Sequence, residues 1–169
     1  LPMPIYPVSS TSRNISNTCS HRSVNNTSLQ PIEIIYVAVG PLLYRAIVPI
    51  KTDTNSDISI SLKFELFYQL DSEDEAFIHK ISCFPSSQVV IIQLTSNEVL
   101  LFGNSTSYTL GMGETIVSIE KPSSPYGIKS KFKSICQTET MVFAADEQHV
   151  LYFWGRYSIF GSISLMAKI

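Results

Sequence analysis

The sequence predicts an all-β fold, and three observations support this. Short runs of β-branched and aromatic residues recur along the chain, polar turns separate them at intervals of 8–12 residues, and no convincing amphipathic pattern with a period of 3.6 residues occurs. A fourth observation, an internal repeat, indicates which kind of all-β architecture the chain forms.

The composition excludes several functional classes. The chain has 169 residues, of which 44% are hydrophobic and 15% charged, with a net charge of −2. This balance gives neither the basic surface expected for nucleic-acid binding nor a polybasic segment for a membrane. No apolar run is long enough to be a transmembrane helix. We expect an intracellular protein, cytoplasmic or nuclear, without direct nucleic-acid or membrane partners. The chain begins with Leu1, which suggests a fragment.

The cysteines predict neither a metal site nor a disulfide framework. Cys19, Cys83 and Cys136 are odd in number and none lies in a Cys-x-x-Cys pair. Cys83 and Cys136 lie in apolar strand-like segments, which predicts that both are buried small hydrophobic residues rather than reactive thiols.

The chain divides into three parts. Residues 1–30 are rich in Pro, Ser, Thr and Asn, which predicts a disordered or linker segment. Residues 31–162 contain the repeats, most clearly in 78–162, and 163–169 form a tail. The predicted strands are Ile32–Val39, Leu42–Ile50, Ile58–Leu70, Ile78–Phe84, Gln88–Leu94, Val99–Phe102, Phe132–Cys136, Met141–Ala145 and Val150–Trp154.

The repeat consists of two similar segments of about 50 residues each. Each has a strand that ends near a cysteine, an apolar strand, a polar turn, and a strand that closes on an aromatic residue followed by glycine. Gly103 and Gly155 are 52 positions apart and Cys83 and Cys136 are 53 positions apart. A weaker third copy begins near Val37.

The second half of the repeat resembles that of the regulator of chromosome condensation family. Phe102-Gly103-Asn104 is followed by Leu110-Gly111-Met112-Gly113-Glu114, and Pro122 and Pro125 fall in the variable loop that comes next in the family pattern. The family's glycine at Tyr108 and its Cys-Gly-x-x-His signature are absent, so the repeats are degenerate. The resemblance implies a partial β-propeller of about two to three four-stranded blades.

The resemblance assigns structural repeat positions and no catalytic, cofactor or metal residues. These positions are Gly103, Leu110, Gly111, Gly113, Trp154 and Gly155. Phe102 and Trp154 are expected to fill the core between blades, with a platform for a nucleotide or a glycan as the alternative. A phosphate cradle at Gly111-Met112-Gly113 is disfavoured, because a β-branched segment follows it and not a helix.

No motif predicts an enzyme within these residues. His21, His79 and His149 are scattered, and no phosphate-binding loop, metalloprotease motif or protein-kinase motif occurs. The resemblance implies a protein-interaction or regulatory module with protein partners. One known setting of such repeats is beside the kinase domain of NIMA-related kinases. The alternatives are guanine-nucleotide exchange on a small GTPase of the Ran type, and an unrelated β-rich binding domain.

Overall fold

The computed structural model describes residues 18–24, 31–49, 61–71, 76–84, 88–105, 109–112, 116, 118–125, 131–157 and 161–168. These residues form three antiparallel sheets, and each sheet has four strands in sequence order. Sheet 1 contains β1 (Thr18–Val24), β2 (Pro31–Val39), β3 (Leu42–Pro49) and β4 (Glu65–Gln69). Sheet 2 contains β5 (Ile78–Cys83), β6 (Gln88–Leu94), β7 (Val99–Asn104) and β8 (Ser118–Ser123). Sheet 3 contains β9 (Phe132–Gln137), β10 (Met141–Asp146), β11 (Leu151–Tyr157) and β12 (Gly161–Lys168).

The predicted all-β class is confirmed. Strands β2, β3, β5, β6, β7, β9, β10 and β11 lie where the apolar runs predicted them, to within a few residues at each end. Within the ranges given above, no helix has the length and apolar character of a membrane span.

The structure differs from the predicted segment boundaries at several places. β1 lies inside the segment 1–30 that was expected to be a linker, and β12 continues through Lys168 into the expected tail. β8 occupies the region around Pro122 that was expected to be a loop. These strands lie at sheet edges, where half-exposed positions accept polar residues and proline is tolerated. Of the predicted strand 58–70, only Glu65–Gln69 is a strand, residues 61–64 are not, and 58–60 lie outside the described residues.

The hairpin turns of sheets 2 and 3 confirm the repeat. Asn97 and His149 both have a positive φ, at 66° and 63°. The Asn97 amide donates to the Leu94 carbonyl at 3.0 Å. The His149 amide donates to the Asp146 carbonyl at 3.1 Å. The same turn therefore recurs 52 residues later with different side chains.

The two repeat glycines also occupy one structural position. Gly103 and Gly155 have φ values of 115° and 125°, which side chains rarely adopt. A Cβ atom on Gly103 would collide with the main-chain carbonyl of Gln88, and one on Gly155 with that of Thr140. In both sheets the pairing with the outermost strand shifts register just before the glycine, as in a β-bulge.

Sheet 2 packs between the other two sheets. Its central strand β6 is apolar on both faces, because Val90 and Ile92 pack toward sheet 1 whereas Val89 and Ile91 pack toward sheet 3. This two-sided burial explains why the sequence of β6 is a continuous apolar run instead of an alternating one.

Two buried clusters hold the sheets together. The first interface, between sheets 1 and 2, contains Tyr36, Ala38, Leu43, Leu70, Ala76, Ile78, Ile81, Val90, Ile92, Leu94 and Phe102. The second interface, between sheets 2 and 3, contains Val89, Ile91, Val99, Leu101, Leu110, Phe132, Ile135, Val142, Ala144 and Trp154.

Side-chain amides add polar links across the second interface. Gln93 Nε2 donates to the Phe132 carbonyl at 2.8 Å, and Gln137 Nε2 donates to the Val89 carbonyl at 3.2 Å. A main-chain bond lies beside them, in which the backbone carbonyl of Asn97 accepts a hydrogen bond from the backbone amide of Phe132 at 2.7 Å. These bonds join backbone groups of one sheet to residues of the other.

The cysteines do not occupy equivalent positions. Cys83 pairs with Val90, whereas Val142, the counterpart of Val90 in the repeat, pairs with Gln137. Cys136 therefore lies one position out of step, and a one-residue offset in a strand reverses the side-chain direction. Cys83 is half-buried, but Cys136 is exposed, so the prediction of a buried Cys136 is wrong.

Candidate functional site: a groove at the first interface

An open groove with a volume of about 500 Å³ lies at the first interface. The groove runs between β2, β3 and β4 of sheet 1 and β6, β7 and β8 of sheet 2. The residues that line it are Ile34, Tyr36, Arg45, Phe67, Gln88, Phe102, Gly103, Asn104, Ser118, Ile119, Glu120 and Lys121.

Three aromatic rings form the floor of the groove. Tyr36 packs edge-on against Phe67 and Phe102, with ring centroids 5.7 Å and 5.3 Å away. Phe67 and Phe102 are 5.1 Å apart with their planes tilted by 38°. Because Tyr36 and Phe67 belong to sheet 1 and Phe102 belongs to sheet 2, this aromatic floor also joins the two sheets.

Arg45 places a positive charge above the floor. Its guanidinium carbon lies 4.8 Å from the centroid of the Phe67 ring, within the range of a cation–π contact. Its Nε donates to Glu65 Oε1 at 3.1 Å, and a terminal nitrogen reaches the same oxygen. The ion pair and the ring contact together fix the guanidinium while its side chain stays partly exposed.

The phenol of Tyr36 is held in its neutral form. Burial raises the pKa of Tyr36 to about 12, and the positive charge of Arg45 opposes this rise. Tyr36 is only 4% exposed. At neutral pH the residue therefore acts as an uncharged ring of the floor.

The rim of the groove on sheet 2 is polar. Asn104 Nδ2 donates to Gln88 Oε1 at 3.2 Å, and Glu120 and Lys121 are exposed on β8. Gly103 leaves this wall without a side chain. The groove thus combines an apolar floor with hydrogen-bonding groups and charges of both signs at its edge, which is the pattern of a recognition surface.

The described residues offer no metal-binding chemistry. They contain no group of three or more His, Cys, Asp or Glu side chains placed to hold a metal ion. Within the described ranges, the groove walls present no histidine or cysteine as a nucleophile or general base. The arrangement supports binding and gives no observation in favour of catalysis.

The predicted repeat positions divide between the two interfaces. Gly103 lines the groove, whereas Leu110, Gly111 and Trp154 meet at the second interface. Gly155 lies in the bulge that follows Trp154, and Gly113 lies outside the described residues.

Trp154 is a core residue. Its side chain has no exposed surface, and its Nε1 donates to the Thr109 carbonyl at 2.8 Å. Thr109 is held in turn by Ser105, whose hydroxyl accepts the Thr109 amide at 2.8 Å. Phe102 is also buried, so both aromatic residues fill the interfaces as predicted, and Trp154 offers no platform for a ligand.

Comparison with solved structures shows the kind of fold that these sheets form. The chain is similar to yeast RCC1 (Prp20) bound to Kap60, with a TM-score of 0.58 and 12% identity over 80% of this chain and 35% of that chain. It is similar to Prp20p from Saccharomyces cerevisiae, with a TM-score of 0.56 and 12% identity over 85% and 41% of the two chains. It is also similar to human WBSCR16, with a TM-score of 0.57 and 11% identity over 82% and 37%.

The structural likeness confirms the predicted architecture. The three sheets are arranged like the blades of a β-propeller, in a fold similar to that of yeast RCC1, and the described part of the chain is a partial propeller. The chain spans between 35% and 41% of the length of these solved chains. No family model matches the chain, and no curated protein matches its sequence.

Proposed function

We propose that the chain is a protein-interaction module of the β-propeller type, and that the groove at the first interface is its binding surface. The observation that carries the proposal is the aromatic floor of Tyr36, Phe67 and Phe102 beneath the fixed guanidinium of Arg45. Aromatic and arginine side chains contribute most of the binding energy at protein interfaces.

The partner that fits is an extended peptide segment with an apolar side chain. Phe67, the partly exposed ring of the floor, offers its surface to an apolar group, while Asn104 and Gln88 offer amide groups to a peptide backbone. Lys121 and Glu120 give the rim charges of both signs, so the groove does not select strongly for acidic or basic segments.

The solved structures support a protein partner. Yeast RCC1 was solved bound to Kap60, and the structure of Prp20p was described together with its binding to Gsp1p and histones. Kap60, Gsp1p and histones are named as partners of the yeast protein. Their variety agrees with a propeller that serves as a scaffold for proteins.

The test selects peptides from a phage-displayed library on the full chain and measures their dissociation constants by fluorescence anisotropy. Ser118→Trp, at an exposed position that lines the groove, fills the groove with a large ring. We expect it to weaken binding at least tenfold, since contacts with a central aromatic site contribute about 2 kcal/mol or more. Arg45→Ala should weaken binding by a smaller factor.

The matched control is Ser134→Trp, which makes the same substitution at an exposed serine of β9, outside the groove. It should leave the dissociation constants unchanged, and circular dichroism should show that both variants keep their sheet content. Peptides that bind Ser118→Trp as tightly as the unmodified chain would show that the groove is not the binding surface. A library that yields no binding peptide would argue against the module itself.

A finer proposal is that the module regulates an attached NIMA-related serine/threonine kinase. It rests on the sequence resemblance of the polar segment 1–30 and of the segment 146–155 to that setting. Reading the gene upstream of Leu1 tests it, because a kinase domain joined by a linker supports the proposal and its absence contradicts it.

Guanine-nucleotide exchange is the less favoured alternative. No feature of the described residues points specifically to a GTPase, and the likeness to Prp20p concerns the fold. An exchange assay with a purified Ran-type GTPase tests this alternative, and failure to accelerate nucleotide release would count against it.

A further inference from the structure

Two cysteines from different sheets meet at the first interface. Cys19 lies on β1, the first strand of sheet 1, and Cys83 lies at the end of β5, the first strand of sheet 2. Both are free thiols, and both pack against the apolar cluster of the first interface.

Strand register explains why the two side chains face each other. Cys19 is opposite Tyr36 on β2, and Cys83 is opposite Val90 on β6. Residues opposite each other in an antiparallel pair project from the same face of the sheet. Tyr36 and Val90 both belong to the cluster between the two sheets, so the cysteines project into that same space.

The two thiols are joined by hydrogen bonding. Cys19 and Cys83 share a side-chain hydrogen bond, and Cys83 Sγ also lies 2.8 Å from the Ser20 carbonyl oxygen, to which it donates. Ser20 lies 63 residues before Cys83 in the sequence, so these contacts are tertiary. Direct contact between the two side chains is the first geometric condition for a disulfide bond.

The environment makes the two sulfur atoms unequal. The hydrogen bond with Cys83 and burial raise the pKa of Cys19, whereas the hydrogen bond from Cys19 lowers the pKa of Cys83 and burial opposes that change. Of the two sulfur atoms, Cys83 is the one whose thiolate would accept the hydrogen bond between the side chains, so we assign it as the attacking thiol, because the thiolate is the reactive form in disulfide exchange.

We propose that Cys19 and Cys83 form a reversible redox pair, which a small-molecule disulfide such as oxidised glutathione converts into a disulfide bond that ties sheet 1 to sheet 2. The Cys83 thiolate attacks one sulfur of glutathione disulfide and releases one glutathione thiolate. Cys19 then loses its proton to solvent, attacks the Cys83 sulfur of the mixed disulfide, and releases the second glutathione thiolate. Two protein thiols are thereby oxidised and one glutathione disulfide is reduced to two glutathione molecules.

Cys136 does not take part in this pair. It is exposed on sheet 3 and lies opposite Phe143 on the face turned away from the second interface. The variant Cys136→Ser therefore leaves the proposed pair intact and removes the remaining thiol.

The experiment exposes folded Cys136→Ser protein to glutathione buffers of increasing oxidation, quenches the free thiols with iodoacetamide, and maps the products by mass spectrometry. We expect a disulfide-linked peptide pair that contains Cys19 and Cys83, with no retained glutathione. As a reference, glutathione is attached to the exposed Cys136 in the unmodified chain. The Cys19–Cys83 bond should form at a ratio of reduced to oxidised glutathione at least about tenfold higher than the ratio at which Cys136 is modified, because the second thiol is already beside the first.

Two single variants test the order of the steps. With Cys136→Ser also present, Cys19→Ser should trap one glutathione on Cys83, whereas Cys83→Ser should leave Cys19 largely unmodified. Two glutathione adducts without a disulfide bond, or a bond that forms only in denaturant, would overturn the proposal. Preferential trapping of glutathione on Cys19 would overturn the assignment of Cys83 as the nucleophile.

Discussion

Asn97 and His149 have the same left-handed backbone conformation at equivalent hairpin turns, although one is an asparagine and the other a histidine. Asparagine enters this region more readily than most residues, because its short polar side chain bonds locally. Asn97 also donates from Nδ2 to Glu147 Oε1 at 3.2 Å, which links the two turns. The histidine adopts the same conformation because the turn requires it.

The first prediction concerns this turn. His149→Gly should raise the free energy of unfolding by about 0.5–1 kcal/mol, because glycine adopts a positive φ without steric cost. The matched control is Gln148→Gly at the neighbouring exposed position, which should lower stability by about 0.5–1 kcal/mol. Urea denaturation measures both. Equal losses in the two variants would show that the turn does not strain His149.

The second prediction concerns the two bulge glycines. Gly103→Ala and Gly155→Ala should each lower the free energy of unfolding by about 3 kcal/mol or more, because the new Cβ collides with a main-chain carbonyl at a disfavoured φ. Gly40→Ala is the control, since Gly40 also has a positive φ but has only the Phe77 side chain nearby. It should cost about 1–2 kcal/mol. Equal effects of all three substitutions in urea denaturation would contradict the close approach.

The third prediction follows from the raised pKa of Tyr36. Between pH 10 and 12 the unfolded chain loses the phenol proton while the folded protein retains it, because burial raises the pKa to about 12. Tyr36 therefore contributes stability below pH 10 that is lost as the pH rises toward 12, by about 2–3 kcal/mol over two pKa units.

The measurement compares urea denaturation at pH 9 and pH 11.5. Tyr36→Phe should lose less stability over this interval than the unmodified chain. An identical pH dependence in Tyr36→Phe and the unmodified chain would rule out this role of the phenol.

The sequence predicts the central strands better than the edge strands. β6 and β7 are predicted well because buried central strands are rich in Val, Ile and Leu. β1 contains Ser, His and Arg, and β8 contains Glu, Lys and Pro, so neither has the apolar alternation that indicates a strand. Their pairing partners specify these strands more strongly than their own residues do.

The groove was not predicted from the sequence. Tyr36, Arg45 and Phe67 come from three strands of one sheet and Phe102 comes from the next sheet, so no local spacing reveals them. The cysteine spacing of 53 residues is within one residue of the glycine spacing of 52, but the strand register places Cys83 and Cys136 on unlike faces. A difference of one residue in spacing is too small to be noticed in a repeat of about 50 residues, but it moves a side chain to the opposite face of a strand.

The packing of successive blades is tested most directly by the fluorescence of Trp154, the single tryptophan of the chain. This residue lies at the second interface with no exposed surface, so we expect a blue-shifted emission maximum and weak quenching by acrylamide in native buffer. Both properties should change to those of a solvated indole in guanidinium chloride. A red-shifted emission that acrylamide quenches fully in native buffer would show that sheet 3 does not pack on sheet 2, and would contradict the propeller arrangement.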